Sequence, residues 1–574
     1  MLQTPVGLVQ KIKPKIIKGW FIDPRGTPNP TVTILLNGRK VAHTTACAPV
    51  EFNGGVREVG WARRLCQLWN YLGPQDELQV ECMGVILPIV DHGTSYIHKG
   101  ATSSRAAELF ELLEQGYVFN KYGILNLSIQ RDQAWQKGIT ELFWELQRKL
   151  KDRFGVDLQV TYGTMLGAIR EKNFIGHDND FDTCYTSSHR TPKTVRAEFI
   201  RICRFLIDEG YQVLVKKTHT WVMIPGTEFK MDIFYSWFHE NNEYEASYGY
   251  HGPALKWKPE LFQMREVQLG NFTVSAPVAA EDMLAHFYGT EWRIPDPGFT
   301  HFGPTRKQTE SYLLLPWQLS RLHWRQYYRD HKEPEEPSSF ARFVAPQLQP
   351  KTLILECGCG NGRDSLYFAE QGFEVLASDR SKAAVLNARR ALEGRTLPGH
   401  CSFKVVDVGL VDELRQFFSH GRIGLVHAKG RDVVVYARFL LHNIPTRHEK
   451  RFFRAIKELL PPGTRIFVEF KTNADRSKVV EKAYRNQYRR FLSAARFKRR
   501  VVREHGFEII SHEVAYGLSP YNGTNPQLFR GVLRIPVPAA SVAATPAPQA
   551  VATPTQQPAP RVGLRQKLRG LLAR

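Results

Sequence analysis

The sequence is poor in paired cysteine. Its eight cysteines, at 47, 66, 82, 184, 203, 357, 359 and 401, show neither CxxC pairs nor zinc-ligand spacing. That argues against a disulfide framework or a zinc site and predicts free thiols in a reducing compartment. No apolar run approaches the roughly 18–20 residues of a membrane span. The opening MLQTPVGLVQKIKPK has no apolar signal-peptide core, so a cytosolic protein is expected. Acidic residues are also in deficit: 56 Asp and Glu against 78 Lys and Arg give a formal net charge of +22. Such a balance calls for an anionic partner, whether nucleotide, phosphorylated glycan, acidic membrane or nucleic acid. Low-complexity sequence is absent except near the C-terminus. With 43% hydrophobic and 23% charged residues, the rest reads as globular.

At 574 residues the chain is too long for one core. Residues 1–97 read as short strands (LVQKIKP, IKGWFID, TVTILLNG, LQVECMGVILPIV) broken by turn residues, the pattern of a small β-sandwich accessory domain. Residues 103–315 form a second, α+β block, and 316–345 a polar, proline-bearing connector. From 346 to 536, strand and helix patterns alternate as in a doubly wound, Rossmann-like α/β domain. An Ala/Pro linker (537–560) and a basic segment (561–574) follow.

The second block holds the densest chemistry, YGTMLGAIREKNFIGHDNDFD (162–182). Asp178, Asp180 and Asp182 alternate, and on a strand alternate side chains share a face. Carboxylates this close repel unless a cation or protons neutralise them, and hard oxygen ligands favour Mg²⁺ or Mn²⁺. Gly163 and Thr164 suit a turn that lets backbone approach phosphate, and Arg170 offers a planar fork for an anion. Asp232, between apolar residues in FKMDIFY, is the expected third metal ligand and a candidate to help deprotonate an attacking hydroxyl. Metal beside such a turn predicts phosphoryl transfer from a nucleotide. His177 reads as pocket-lining rather than as a ligand.

Four separated segments, GTMLGAIR, FIGHDNDFDT, MDIF and YGTEWRIP (Tyr288, Gly289, Trp292, Pro295), resemble the LicD/fukutin family over about 160 residues. The resemblance implies a nucleotidyltransferase-like core. It also implies transfer of a phospho-alcohol from a CDP-linked or other nucleotide-activated donor to a glycan hydroxyl. Gly176 and His177 stand where the family has Pro-Trp, and Asn179 replaces a common Asp, departures that bear on the identity of the donor.

In the third block TLILECGCGNGRD (352–364) reads strand, glycine-rich turn, helix, with Glu356, Gly358, Gly360 and Gly362 carrying the pattern. An acid at the end of the first strand suits the cationic sulfonium and amino group of S-adenosylmethionine better than a nucleotide phosphate. Asp379 ends the next strand, placed for ribose hydroxyls, and Asp407 the third, placed for an adenine amino group or as a turn cap. These motifs look like a class I S-adenosylmethionine-dependent methyltransferase. Together with YARFLLHNI, FVEFKT, QYRRFL and GFEIISHEVAYGLSPY they resemble a branch from surface-polysaccharide loci. A sugar hydroxyl as methyl acceptor would need a base, for which His442 and Glu469 are candidates. A phosphate oxygen would need only cations, and Arg438, Arg489 and Arg490 are available.

In 561–574, Leu564, Leu568, Leu571 and Leu572 fall on one helical face among arginines and a lysine. That predicts a basic amphipathic helix for an anionic membrane surface or for a partner protein. The whole reads as a bifunctional enzyme of bacterial surface-polysaccharide assembly (O-antigen, capsule or teichoic type). It would work at the inner face of the cytoplasmic membrane on a lipid-linked glycan, with methylation following transfer. Two rivals are an RNA-modifying enzyme, for which no RNA-binding module is recognisable, and a methyltransferase anchored by an inactive LicD-like scaffold.

Overall fold

Hydrophobic alternation builds the first unit. In Thr31–Leu36 the residues Val32, Ile34 and Leu36 are buried while Thr31, Thr33 and Leu35 are not, so one face of the strand meets a core. A computed structural model describes residues 6–23, 27–46, 48–50, 58–98, 102–178, 180–248, 255, 258–296, 314–474, 489–520 and 524–537. The linker and basic helix expected at 537–574 fall, apart from Val537, outside the described residues. Near the N-terminus, a four-stranded antiparallel sheet (Val6–Lys13, Ile16–Ile22, Glu58–Arg63, Ala48–Val50) accompanies a five-stranded one built around Thr31–Leu36 and Glu77–Cys82. Both sheets contribute to one apolar cluster that includes Val9, Phe21, Ile34, Trp61 and Val80.

The second unit opens on a long helix, Gln133–Phe154. Asp132 caps it by accepting from the Trp135 amide at 2.9 Å, and Gly155 ends it in the left-handed conformation. Behind it lies a six-stranded mixed sheet in the order Leu158–Val160, Asp182–Ser187, Lys230–Phe238, His219–Met223, Gln212–Val215, with Tyr244–Ala246 also paired to Lys230–Phe238. Asp182–Ser187 and Lys230–Phe238 run parallel, in a register that sets Asp182 beside Asp232.

The third unit is a seven-stranded sheet in the order His400–Val405, Glu374–Asp379, Leu353–Cys357, Val433–Arg438, Arg465–Lys471, Leu528–Arg534, Glu508–Ala515. The first five strands are parallel, and Leu528–Arg534 is antiparallel to both of its neighbours. Strand order reverses direction between Leu353–Cys357 and Val433–Arg438, and the crevice beyond the carboxyl ends of such strands is where open α/β sheets bind ligands.

The segment expected as a connector is helical over Pro316–Asp330. One side of this helix grips the second unit: Arg325 Nε bonds Asp208 Oδ1 at 2.7 Å, and Arg329 Nη1 donates to the carbonyls of Ile207 and Tyr211, both at 2.6 Å. The other side meets the third unit, where Asn387 Nδ2 donates to the Tyr328 carbonyl at 2.6 Å. Trp324, Tyr327 and Tyr328, with His331 at the C-cap, sit at i, i+3, i+4 and i+7, a single helical face. No helix among the described residues is long and apolar enough to cross a membrane.

Candidate active sites

The acidic site is assembled by strand register and one short helix. After strand Leu158–Val160 the chain turns at Tyr162 (φ +42°) into helix Tyr162–Leu166, which continues as a wider turn over Gly167–Glu171. Gly163 therefore lies in a helix, not in the expected phosphate-cradling turn. Its missing side chain leaves room for Asp178, since a Cβ there would stand 2.3 Å from Asp178 Oδ2. The Thr164 hydroxyl accepts the Asp182 amide at 2.8 Å and so fixes where the acidic strand begins. Arg170 is also in use within the protein. Its Nη1 donates to the Trp292 carbonyl at 3.2 Å and its Nη2 to Glu171 Oε1 at 2.7 Å, tying the GTMLGAIR and YGTEWRIP segments together.

Oxygens of Asp180, Asp182 and Asp232 lie within 4.8 Å of one another. Asp182 and Asp232 are buried, and Asp232 Oδ1 makes no well-formed hydrogen bond, although Trp221 donates weakly toward that carboxylate. Burial and, to a lesser degree, repulsion from Asp180 push Asp178 up to about 7. Burial also pushes Asp232 up to about 7. Burial together with its three acidic neighbours drives Asp182 well above the carboxylate range. Asp180 alone is held below its ordinary value: burial opposes its ionisation, but Lys121, a hydrogen bond with Asp178 and the charge of Lys230 together outweigh that. The Lys121 ammonium lies 3.0 Å from Asp180 Oδ2 and 3.3 Å from Asp178 Oδ1. Three converging hard oxygen donors, one of them a buried acceptor without a well-formed hydrogen bond, fit a small divalent cation. His177 is pushed down to about 4 by burial and nearby cations, and so stays neutral.

In the third unit the strand Leu353–Cys357 delivers Glu356 and then the glycine loop. Gly358 and Gly362 have φ of +84° and +87°, and a Cβ on Gly360 would come within 2.4 Å of Tyr328 Oη. The loop faces a cavity of about 810 Å³, roofed by Trp324, Tyr327 and Tyr328 of the bridging helix. Glu356, Gly358, Gly360, Asp379, Arg438 and His442 all line it, as does Lys471. Burial, and secondarily Asp364, push Glu356 up to about 8, with Ser365 donating to its carboxylate. Asp379 accepts the amides of Gly360 at 3.1 Å and Ser381 at 2.8 Å, which orients its carboxylate at the strand end.

Four expected ligand contacts come out differently. Gly362 does not line the cavity: a Cβ there would stand 2.9 Å from Ala388 and 3.0 Å from Phe403, so this glycine serves close packing. Asp407 lies outside the cavity lining, because it pairs with Arg321 of the bridging helix and accepts the Gly409 amide at 2.9 Å. Arg490 is also outside: it donates to the Leu441 carbonyl at 2.6 Å and pairs with the buried Glu449, which Arg500 shares. Its amide donates to the His442 carbonyl at 2.8 Å, so it holds the His442 loop rather than an acceptor. Arg489 does not line the cavity either, but its charge reaches His442. Glu469 is no free base, since Arg530 (2.6 Å), Arg438 (3.3 Å) and Ser519 (3.1 Å) surround its carboxylate. Burial and then the cations Arg489, Lys471, Arg490 and Arg438 hold His442 far below its usual range. It is a neutral hydrogen-bonding group with little appetite for a proton. Glu449→Gln leaves two arginines facing a neutral amide and is expected to cost about 3–5 kcal/mol. Chemical denaturation should show that loss in the methyltransferase transition, with the second unit's transition unmoved.

Sequence reading missed Lys121, Tyr328, Arg321 and Lys471. The aromatic periodicity of 324–331 was a usable signal for Tyr328. Lys121 lies in a segment with no motif around it.

Residues 155–279 match the family model described as LicD/FKTN/FKRP nucleotidyltransferase domain, and residues 328–512 match that of a methyltransferase domain. Similar solved structures include a SAM-dependent methyltransferase of Methanosarcina mazei (17% identity, 34% of this chain and 97% of that one, TM-score 0.28). A second, from Anabaena variabilis, shows 16% identity over 39% and 96% of the chains with a TM-score of 0.30. Magnesium protoporphyrin IX methyltransferase of Synechocystis PCC 6803 shows 19% over 38% and 85%, with a TM-score of 0.25. No curated protein matches. The chain is thus a transferase in which a region matching the LicD nucleotidyltransferase domain precedes one matching a methyltransferase domain.

Proposed function

We propose that this protein modifies a bacterial surface glycan in two steps: transfer of a phospho-alcohol or phospho-sugar from a CDP-type donor, then O-methylation of the product. The observation that carries the first step is the Asp182–Asp232 register, which brings three carboxylates within 4.8 Å around a buried acceptor that lacks a well-formed hydrogen bond. Asp180, Asp182 and Asp232 would hold Mg²⁺ or Mn²⁺. That cation supplies positive charge for the donor phosphates and the leaving nucleotide. The LicD match supports a nucleotide donor.

For the second step, Glu356 offers a negative charge to a cationic methyl donor, and Asp379 stands at the strand end where ribose hydroxyls are held. S-adenosylmethionine supplies an electrophilic methyl carbon. His442, kept neutral and weakly basic, is a poor proton acceptor at working pH. Two of the cations that depress it, Arg438 and Lys471, line the same cavity and favour an acceptor that is already anionic. A phosphate oxygen placed on the glycan by the first domain meets that description, so we order the reactions transfer first, methylation second. The net charge of +22 and the basic tail support work on a lipid-linked acceptor at the inner face of the cytoplasmic membrane.

The test gives the enzyme Mg²⁺, CDP-linked donors and isotopically labelled S-adenosylmethionine, with acceptor glycans that do or do not already carry the phosphate. Labelled methyl should enter only phosphorylated glycan. Equal methylation of acceptors that never received the phospho unit would remove the ordered scheme.

A further inference from the structure

Lys121 is delivered to the acidic site from outside the matched LicD region. It sits in the five-residue connection between strands Tyr117–Phe119 and Leu125–Leu127. Buried Asn120 shapes that connection, its Oδ1 accepting the amides of Tyr122 at 2.9 Å and Ile124 at 3.1 Å. The connection is seated on the N-terminal unit. Gln67 donates its amide to the Gly123 carbonyl at 2.9 Å and accepts the Leu125 amide at 2.7 Å through Oε1. A Cβ on Gly123 would stand 2.3 Å from the Cys66 nitrogen, so the two backbones touch. Arg63 Nη2 adds a bond to the Phe119 carbonyl at 2.5 Å. The N-terminal sheets thereby point one ammonium at Asp178 and Asp180, 3.0–3.3 Å away.

We infer that Lys121 is a donor-binding residue: it balances the carboxylates until metal and nucleotide arrive, then moves to the nucleotide's phosphates. The inference rests on reading the cluster as a nucleotide–metal site. A divalent cation held by Asp180 is repelled by an ammonium on the same carboxylate, so the two compete for it. The lysine stem is flexible and its head is a compact point charge, suited to leaving one anion for another a few ångströms away. The donor's phosphates are the anions that arrive with the metal. The lysine thus opposes metal in the empty site and supports nucleotide in the loaded one, whereas a lysine that only braced the fold would do neither.

The test is binding of Mn²⁺ alone, by electron paramagnetic resonance, and of cytidine diphosphate at saturating Mn²⁺, by calorimetry, on the full chain. Lys121→Met should bind Mn²⁺ at least threefold more tightly and cytidine diphosphate about tenfold or more weakly, with Lys121→Arg restoring most of the nucleotide affinity. Gln67→Ala, which touches no carboxylate of the cluster, should move both affinities the same way by a smaller factor. Unchanged affinities in Lys121→Met, or a joint loss of both, would overturn the inference while leaving the phosphotransfer reading intact. Wild-type affinities in Gln67→Ala would overturn the part assigned to the N-terminal sheets. If the unaltered protein bound neither Mn²⁺ nor cytidine diphosphate, the inference and the functional reading would fall together.

Discussion

Asp182→Asn is expected to lower phosphotransfer by about a thousandfold or more, in line with removing a charge-stabilising group from a water-poor site, while the melting temperature of the metal-free protein stays the same or rises. The two halves of this result come from one cause. Asp182 is buried at the start of its strand, flanked by Asp180, Asp178 and Asp232, and burial and these three carboxylates all push against its ionisation. Without a cation this concentration of carboxylate costs stability, and an amide of the same shape relieves it. The strand itself is not disturbed, because Thr164 bonds the backbone nitrogen of residue 182 and Asp182–Ser187 keeps its pairing with Lys230–Phe238. A residue kept for the fold would behave in the opposite way, lowering the melting temperature and changing activity only as far as the folded fraction fell. Scanning calorimetry without metal, beside turnover with Mg²⁺, separates the two.

The second large effect is in pH. Binding of S-adenosylmethionine should strengthen by up to about tenfold per unit as pH rises toward 8 and level off above it, following the single proton that Glu356 must lose. The sign follows from burial. Glu356 is pushed up to about 8, so near neutrality the empty site holds it mostly as the acid, and a cationic ligand must displace that proton. In the ligand-free protein the same raised pKa makes the folded state the better proton binder between about 4.5 and 8. The Glu356 contribution to stability is therefore fully present at low pH and declines as pH climbs through that window. Glu356→Gln should flatten the pH dependence and weaken binding about 10–100-fold at pH 8, the loss of a charge-assisted contact. Calorimetric titrations at four pH values between 6 and 9 would show it. A flat affinity in the unaltered protein would mean that Glu356 does not meet the ligand's charge.

Much of both sites was legible because the chemistry lies in local patterns. Asp178, Asp180 and Asp182 alternate within five residues, although only Asp182 lies on the strand and Asp178 follows a turn, and Glu356 with its glycines sits on one strand-to-helix turn. Asp232 was legible as an acid in an apolar strand, but its register against Asp182 depends on which strands pair, and no local pattern states that. Polar residues with two plausible employers were harder. Thr164, Arg170, Asp407 and Arg490 read as ligand contacts because of their chemistry, yet the fold engages each of them: a strand start, a carbonyl of the YGTEW segment, a turn with Arg321, and Glu449. Residues brought in from afar left no trace near the motifs. Lys121 comes from another segment, and Tyr328 from a stretch whose prolines and charges outweighed its aromatic face. The prolines flank the helix, one at its first position and the next after its end, where they do not break it.

The most direct test is an anomalous difference map from crystals grown with Mn²⁺ and cytidine diphosphate. A manganese peak should lie within bonding distance of Asp180, Asp182 and Asp232, at about 2.0–2.3 Å from their oxygens, with nucleotide phosphate on its open side. Nucleotide bound elsewhere, with those three carboxylates still facing only protein cations at saturating Mn²⁺, would contradict the account.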